Sequence, residues 1–395
     1  MTKFGEKLTA VAGVGLSEVA RPSHKSGLEL TIDASLAAIA DAGLEPAAID
    51  GITTYPGAVS DTSGNSPTGI PELRLALGLK PNWYGAEREC AGQFGCIFSA
   101  VAAIAAGFAN NVLVFRTICE ASARKIDAYS TVHGAKSARV SGVHAWTAPY
   151  GALTGAPYFA MHAQRHFHEY GTRAEHLGYI ALNARRNAAR NPQAIYRSPL
   201  TMDEYLASRM IASPLRLYDC DVPVDTSVAL IVSRRDLSSS SRSRLAIEAV
   251  GAALHQRDNW YRPENLTWTG SADAARMMWD RTDLKPADVD VAQLYDGFSI
   301  HTLMWLEALG FCGRGEGGPF LDQGRTIALE GSLPVNTGGG QLSAGRMHGL
   351  GLIYEACTQL WQRGGKRQVP RPPRVALAAA GYGGGFSGCL LLVRE

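Results

Sequence analysis

The sequence predicts an α/β protein built from two repeated halves, and three observations carry that prediction. Helical and strand signals alternate along the chain. The run Leu44-Glu45-Pro46-Ala47-Ala48-Ile49-Asp50-Gly51-Ile52-Thr53-Thr54-Tyr55 recurs as Leu284-Lys285-Pro286-Ala287-Asp288-Val289-Asp290-Val291-Ala292-Gln293-Leu294-Tyr295 at a constant offset of 240 residues. Between the copies, Ser238 to Arg244 is polar and of low complexity, as a linker would be, which places the halves at 1–237 and 245–395. The pattern L-x-P-x-x-(I/V)-D is also a common helix-to-strand connector, so the repeat has a local explanation beside the architectural one.

The elements follow in order. Apolar residues at helical spacing run from Leu28 to Ala42, and a strand follows near Ile49 to Thr54. Ala91 to Phe115 is a stretch of 25 residues without a charge. Gly92, Gly95 and Gly107 interrupt it, and Gly107-Phe108-Ala109-Asn110-Asn111 reads as a helix end and turn. A buried helix followed by the buried strand Val112-Leu113-Val114-Phe115 is therefore expected rather than a membrane span. The segment from Cys119 to Arg216 departs from the alternation and carries six of the ten histidines. It reads as a helical excursion that caps a site. Its His162 and His166 stand four apart, a spacing that can chelate a metal, but no metal site is expected. Near the end, Leu350 to Trp361 is again amphipathic.

Composition narrows the function. Of 395 residues 46% are apolar and 19% charged, ordinary for a globular chain, and 38 basic against 36 acidic residues leave a formal charge of +2. That balance gives no electrostatic footprint for nucleic acid. Met1 to Lys7 has no apolar core before a small-residue cleavage site, so a cytoplasmic protein is expected. Seven scattered cysteines without a C-x-x-C pair point to reduced thiols, not to disulfides or zinc.

Three segments have the residue types that chemistry needs. Cys90 lies just before the long apolar helix, where the dipole and unpaired amides favour a thiolate nucleophile; a buried thiol at a crowded helix start is the other reading. Asn336 to Gly349 is dense in glycine, including Gly339 and Gly340, which lets backbone approach a ligand. Its Arg346 can meet an anion and its His348 can move protons, although a purely structural turn has the same composition. Tyr295-Asp296-Gly297-Phe298 and Gly381-Tyr382-Gly383-Gly384-Gly385 each set a phenol beside glycine, able to donate to an oxyanion or to act as acid or base, as well as to pack in a core.

These segments together resemble the thiolase superfamily over nearly the whole chain. Cys90 stands seventeen residues before Gly107, as the thiolase nucleophile stands before the end of its buried helix. Tyr295 to Phe298 falls where thiolases have Asn-Glu-Ala-Phe and the sterol-carrier-protein thiolases His-Asp-Cys-Phe. Asn336 to Gly349 matches the Asn-x-x-Gly-Gly…Gly-His-Pro loop, and Gly381 to Gly385 the Cys-x-Gly-Gly-Gly motif. Phe115-Arg116-Thr117, Ala148-Pro149-Tyr150-Gly151 and Leu215-Arg216-Leu217-Tyr218-Asp219-Cys220 are closer to the sterol-carrier-protein-thiolase-like lipid-transfer subgroup, which includes steroid side-chain aldolases. The resemblance implies a five-layered αβαβα sandwich, with Tyr295, His348, Tyr382 and Cys90 as catalytic residues and Arg346, Gly339, Gly340 and Gly384 on the substrate.

The departures decide among reactions. Arg346 stands at the catalytic His of Gly-His-Pro with His348 two residues on, and Gly381 stands at the second catalytic Cys. Claisen chemistry would lack two proton handlers, whereas retro-aldol cleavage of a β-hydroxyacyl-CoA to a ketone or aldehyde and a shorter acyl-CoA needs a base and donors for the enolate. The alternatives are a thiolase or acyltransferase using Cys90 and a non-catalytic acyl-CoA or lipid carrier. The resemblance further implies no cofactor beyond the coenzyme A thioester, a homodimer, and a small zinc-ribbon and OB-fold partner subunit. The chain ends after the last motif, so no appended sterol-carrier domain is expected.

Overall fold

The computed structural model describes residues 4–58, 64–87, 92–126, 144–152, 154–237, 244–255, 265–381 and 387–395. The first half comprises β1 (Thr9–Leu16), α1 (Gly27–Asp41), β2 (Gly51–Thr54), α2 (Ile70–Leu77), β3 (Trp83–Ala86), α3 (Gly95–Ala105) and β4 (Asn111–Cys119). The excursion follows, with α4 (Glu120–Ile126), α5 (His144–Thr147), α6 (Gly155–Tyr170), α7 (Ala174–Ala189), α8 (Met202–Ala207), β5 (Met210–Ala212) and β6 (Leu215–Arg216), before β7 (Asp225–Arg234) returns to the sheet. The second half holds β8 (Leu245–Gly251), α9 (Gly270–Trp279), β9 (Val291–Leu294), α10 (Ser299–Ala308), α11 (Gly317–Phe320), α12 (His348–Leu360), β10 (Val375–Ala380) and β11 (Gly388–Arg394).

Among the described residues the main sheet runs β3-β2-β4-β7-β1-β8-β11-β10-β9. The pairing is duplicated. β2 is parallel to β4, which is antiparallel to β7, which is antiparallel to β1; β9, β10, β11 and β8 repeat that series. The two sets meet at a short β1–β8 contact, Ala10 opposite Ala246 and Val11 opposite Leu245. The 240-residue repeat lies on equivalent elements, since the turns Pro46–Ala48 and Pro286–Asp288 lead into β2 and β9.

Helices cover these strands in layers. α1, with α2 beside it, lies on one face of the first half and α3 on the other; α9 and α10 lie against the second half, and α12 packs on β9 and β10 while also touching β7 and β1. This is the αβαβα sandwich of a thiolase fold. Position explains composition. α3 is apolar all round because it lies in the middle layer, whereas α1 begins with a Ser26–Glu29 capping box and turns Leu30, Ala34 and Ala38 to the sheet. β4 extends four residues beyond the expected Phe115, because the charge at Arg116 does not end the strand: it is buried with partners of its own. No helix among the described residues is long and apolar enough to cross a membrane.

The excursion is fastened to the second half by a buried polar link. His166 on α6 bonds Thr172 Oγ1 at 2.8 Å through Nδ1 and Glu307 Oε1 of α10 at 3.1 Å through Nε2. His162 reaches the Leu266 carbonyl at 2.7 Å. Both histidines are thus committed to protein groups.

Candidate active site

A cavity of about 930 Å³ opens between the excursion and the two halves, and Arg116, Phe159, Tyr295, His301, Arg346 and His348 are among its walls. Tyr295 follows directly on β9, and its backbone N–H extends the sheet to Ala379 O at 2.9 Å. Its ring folds back over Gly297, where a Cβ would stand 2.7 Å from Cε1 and 2.8 Å from the hydroxyl. Only a residue without a side chain leaves the phenol this place.

Asp296, between them, is wholly buried and accepts the backbone N–H groups of Gln341 at 2.8 Å and Leu342 at 3.4 Å. Burial pushes its carboxyl up to about 6, against the pull of those hydrogen bonds. Gly340, at φ +58°, admits that carboxylate, and Gly339, at φ +102°, packs against Ala188 of α7; a Cβ on either would collide. Asn336 completes the loop by bonding Leu294 N–H and C=O through its amide at 2.8 and 2.9 Å, so the glycine-rich loop is sewn to the end of β9.

The loop then delivers His348, which starts α12 at φ +56° and donates its backbone N–H to Gln341 Oε1 at 3.2 Å. Arg116 reaches it from β4. This guanidinium donates to Tyr55 O at 2.9 Å, to Asn65 Oδ1 at 3.0 Å and to His348 Nδ1 at 3.0 Å. A guanidinium can only donate, so His348 Nδ1 accepts and the neutral ring carries its proton on Nε2. Burial first, then the charges of Arg116 and Arg346, hold the imidazole well below its ordinary range. Burial also lowers Arg116 to about 10, opposed by Tyr55 and Tyr295, and it stays charged at neutral pH.

Arg346 lines the same cavity but is already paired, with Glu120 and with Asp221 at 3.3 Å, and its backbone N–H bonds Val222 O at 2.7 Å. Burial lowers it to about 10. Asp221 N–H in turn bonds Gly297 O at 3.2 Å, while neighbouring Asp219 takes the Tyr205 hydroxyl at 2.9 Å and the Ser299 hydroxyl. The Leu215-to-Cys220 motif therefore docks on Tyr295-to-Phe298.

The structure thus gathers Tyr295, His348 and Arg346 around one cavity, with Gly339 and Gly340 supporting the loop beneath. Cys90, Tyr382 and Gly384 lie outside the described residues. Sequence reasoning missed Arg116 and His301 as site residues. Their signal was a charge inside an apolar strand and a histidine inside the apolar helix after Phe298.

Two halves of this topology, with a tyrosine after β9 and a glycine-rich loop feeding a histidine into the same cavity, define a thiolase-fold protein. Residues 252–393 match the family model described as thiolase C-terminal domain-like. The chain is 35% identical to a steroid side-chain-cleaving aldolase of Thermomonospora curvata over 97% of both chains. It is 34% identical to a 17-hydroxy-3-oxo-4-pregnene-20-carboxyl-CoA lyase of Mycobacterium tuberculosis, over 97% of this chain and 98% of the other. The solved Ltp2–ChsH2(DUF35) aldolase superimposes with a TM-score of 0.86 at 30% identity, covering 98% of each chain. The chain belongs to the thiolase superfamily, in the branch that contains these side-chain-cleaving aldolases.

Proposed function

We propose that the protein is a carbon–carbon lyase that cleaves a β-hydroxyacyl-CoA of the steroid side-chain type into a ketone or aldehyde and a shorter acyl-CoA. The observation that carries this reading is the Arg116–His348 hydrogen bond beside Tyr295, which leaves His348 a donor and not a base. Tyr295 then takes the β-hydroxyl proton, with the Arg116 charge nearby to favour phenolate. The O–H pair becomes the new C=O, the carbon–carbon bond breaks, and its electrons pass into the thioester. His348 Nε2–H holds the developing enolate oxygen, and the proton on Tyr295 returns to the α-carbon. Atoms balance without free coenzyme A, a covalent acyl-enzyme or a further cofactor. A cavity of about 930 Å³ has room for a bulky polycyclic acyl group.

Assembly belongs to the same reading. β3 ends the sheet among the described residues, and its Tyr84 is 72% exposed, which suits pairing with a second copy in a cytoplasmic homodimer. A small zinc-ribbon and OB-fold subunit is the second expected partner, in line with the two components named for the Ltp2–ChsH2(DUF35) aldolase. The test is release of ketone and shorter acyl-CoA from a β-hydroxyacyl-CoA, with and without such a subunit and with no added coenzyme A. Cleavage seen only with a 3-ketoacyl-CoA plus coenzyme A, and abolished in Cys90→Ser, would make the protein a thiolase; acyl-CoA binding without turnover of either substrate would make it a carrier.

A further inference from the structure

His301 is buried, faces the cavity, and has no part in the chemistry above. Its ring lies in the first turn of α10, edge-on to Phe159 with centroids 4.3 Å apart and 5.6 Å from the Tyr295 ring. The backbone N–H of Phe298 donates to its Nδ1 at 3.2 Å, so the neutral imidazole carries its proton on Nε2. That Nε2 is buried without a hydrogen-bond partner. Burial, then His162, keeps the ring uncharged at ordinary pH. A buried donor with nothing to donate to is a standing penalty that a ligand oxygen would relieve. His348 is arranged alike, with a protein donor filling Nδ1.

We propose that His301 donates a hydrogen bond from Nε2 to the thioester oxygen of the substrate, as a second donor beside His348. The assignment rests on the retro-aldol reading for its choice of oxygen. The β-oxygen gives up negative charge as the carbon–carbon bond breaks, so a donor held there opposes cleavage. The thioester oxygen gains that charge, and a preorganised neutral donor there lowers the barrier without a proton changing hands. Two imidazole N–H groups meet the two lone pairs of one enolate oxygen.

The test pairs a binding cycle with turnover. Wild type, His301→Phe and His301→Gln are titrated with propionyl-CoA and with S-propyl-CoA, the thioether that lacks the carbonyl oxygen. Wild type should prefer the thioester by about tenfold; His301→Phe should lose a large part of that preference, His348 keeping the rest, with thioether affinity unchanged, and His301→Gln, which retains a donor, should recover part of it. Cleavage by His301→Phe should fall roughly 10²- to 10³-fold in kcat with little change in KM. An unchanged thioester preference overturns the contact, and a lost preference with normal kcat overturns its catalytic role. A wild type that binds both probes but releases no ketone from any β-hydroxyacyl-CoA refutes the retro-aldol reading, and the binding cycle then still decides the contact.

Discussion

Gly297→Ala isolates the placement of Tyr295 from every other property of the site. An alanine Cβ there would stand 2.7 Å from the Tyr295 Cε1, 2.8 Å from its hydroxyl and 2.9 Å from Cζ. Carbon atoms in contact prefer roughly 3.5–4.0 Å, so the ring must swing away by about 0.8 Å. Gly297 lies outside the left-handed region, and alanine strains no backbone there. The substitution should therefore leave the unfolding midpoint close to that of wild type while displacing the phenol. A shift near 1 Å at a reacting group is worth on the order of a hundredfold in rate, and kcat for ketone release should drop on that scale. Tyr295→Phe should lose about a hundredfold by itself, the scale of a general acid–base group, and adding Gly297→Ala to it should have little further effect. Near-wild-type turnover in Gly297→Ala, or an equal loss in both backgrounds, would refute the reasoning.

Three more outcomes follow from the same geometry. Asp296 is protonated more readily in the fold, at about 6, than at its ordinary 3.8, so its burial penalty is absent below about 3.8 and complete above about 6. Wild type should therefore lose stability relative to Asp296→Asn as pH rises through that window, by on the order of 3 kcal/mol in urea titrations at a series of pH values. Arg116→Met removes the donor to His348 Nδ1 and the charge that favours the Tyr295 phenolate, so the acid limb of the pH–rate profile, which belongs to that base, should move to higher pH as the maximal rate falls about a hundredfold. Arg346→Met leaves Glu120 and Asp221 without their cation and should lower unfolding stability by about 3 kcal/mol in chemical denaturation.

Much of the architecture was legible because it is written locally. The proline and aspartate of the repeated connector fix a turn and a strand start wherever they occur, and their recurrence at 240 residues maps onto equivalent strands. Tyr295 and the loop from Asn336 to Gly349 were legible for the same reason, since glycine marks where backbone and side chains crowd. Arg116 was not. Its burial depends on Tyr55, Asn65 and His348, the last 232 residues away, and a single charge in a strand pattern gives no sign of such partners. Arg346 read as an anion site because its carboxylates, Glu120 and Asp221, are equally remote in sequence. His301 stayed hidden because the backbone N–H that orients it leaves no trace in residue type.

The buried His166–Glu307 link has a consequence for how such a pocket can change its taste. It ties α6, which supplies the Ala156 and Phe159 walls, to the same helix that presents His301. The Ala156 and Phe159 walls of the cavity and the His301 ring thus share one mechanical reference. Under the proposed function, resizing residues 156 or 159 should alter which ring system fits while the tie that holds His301 is kept.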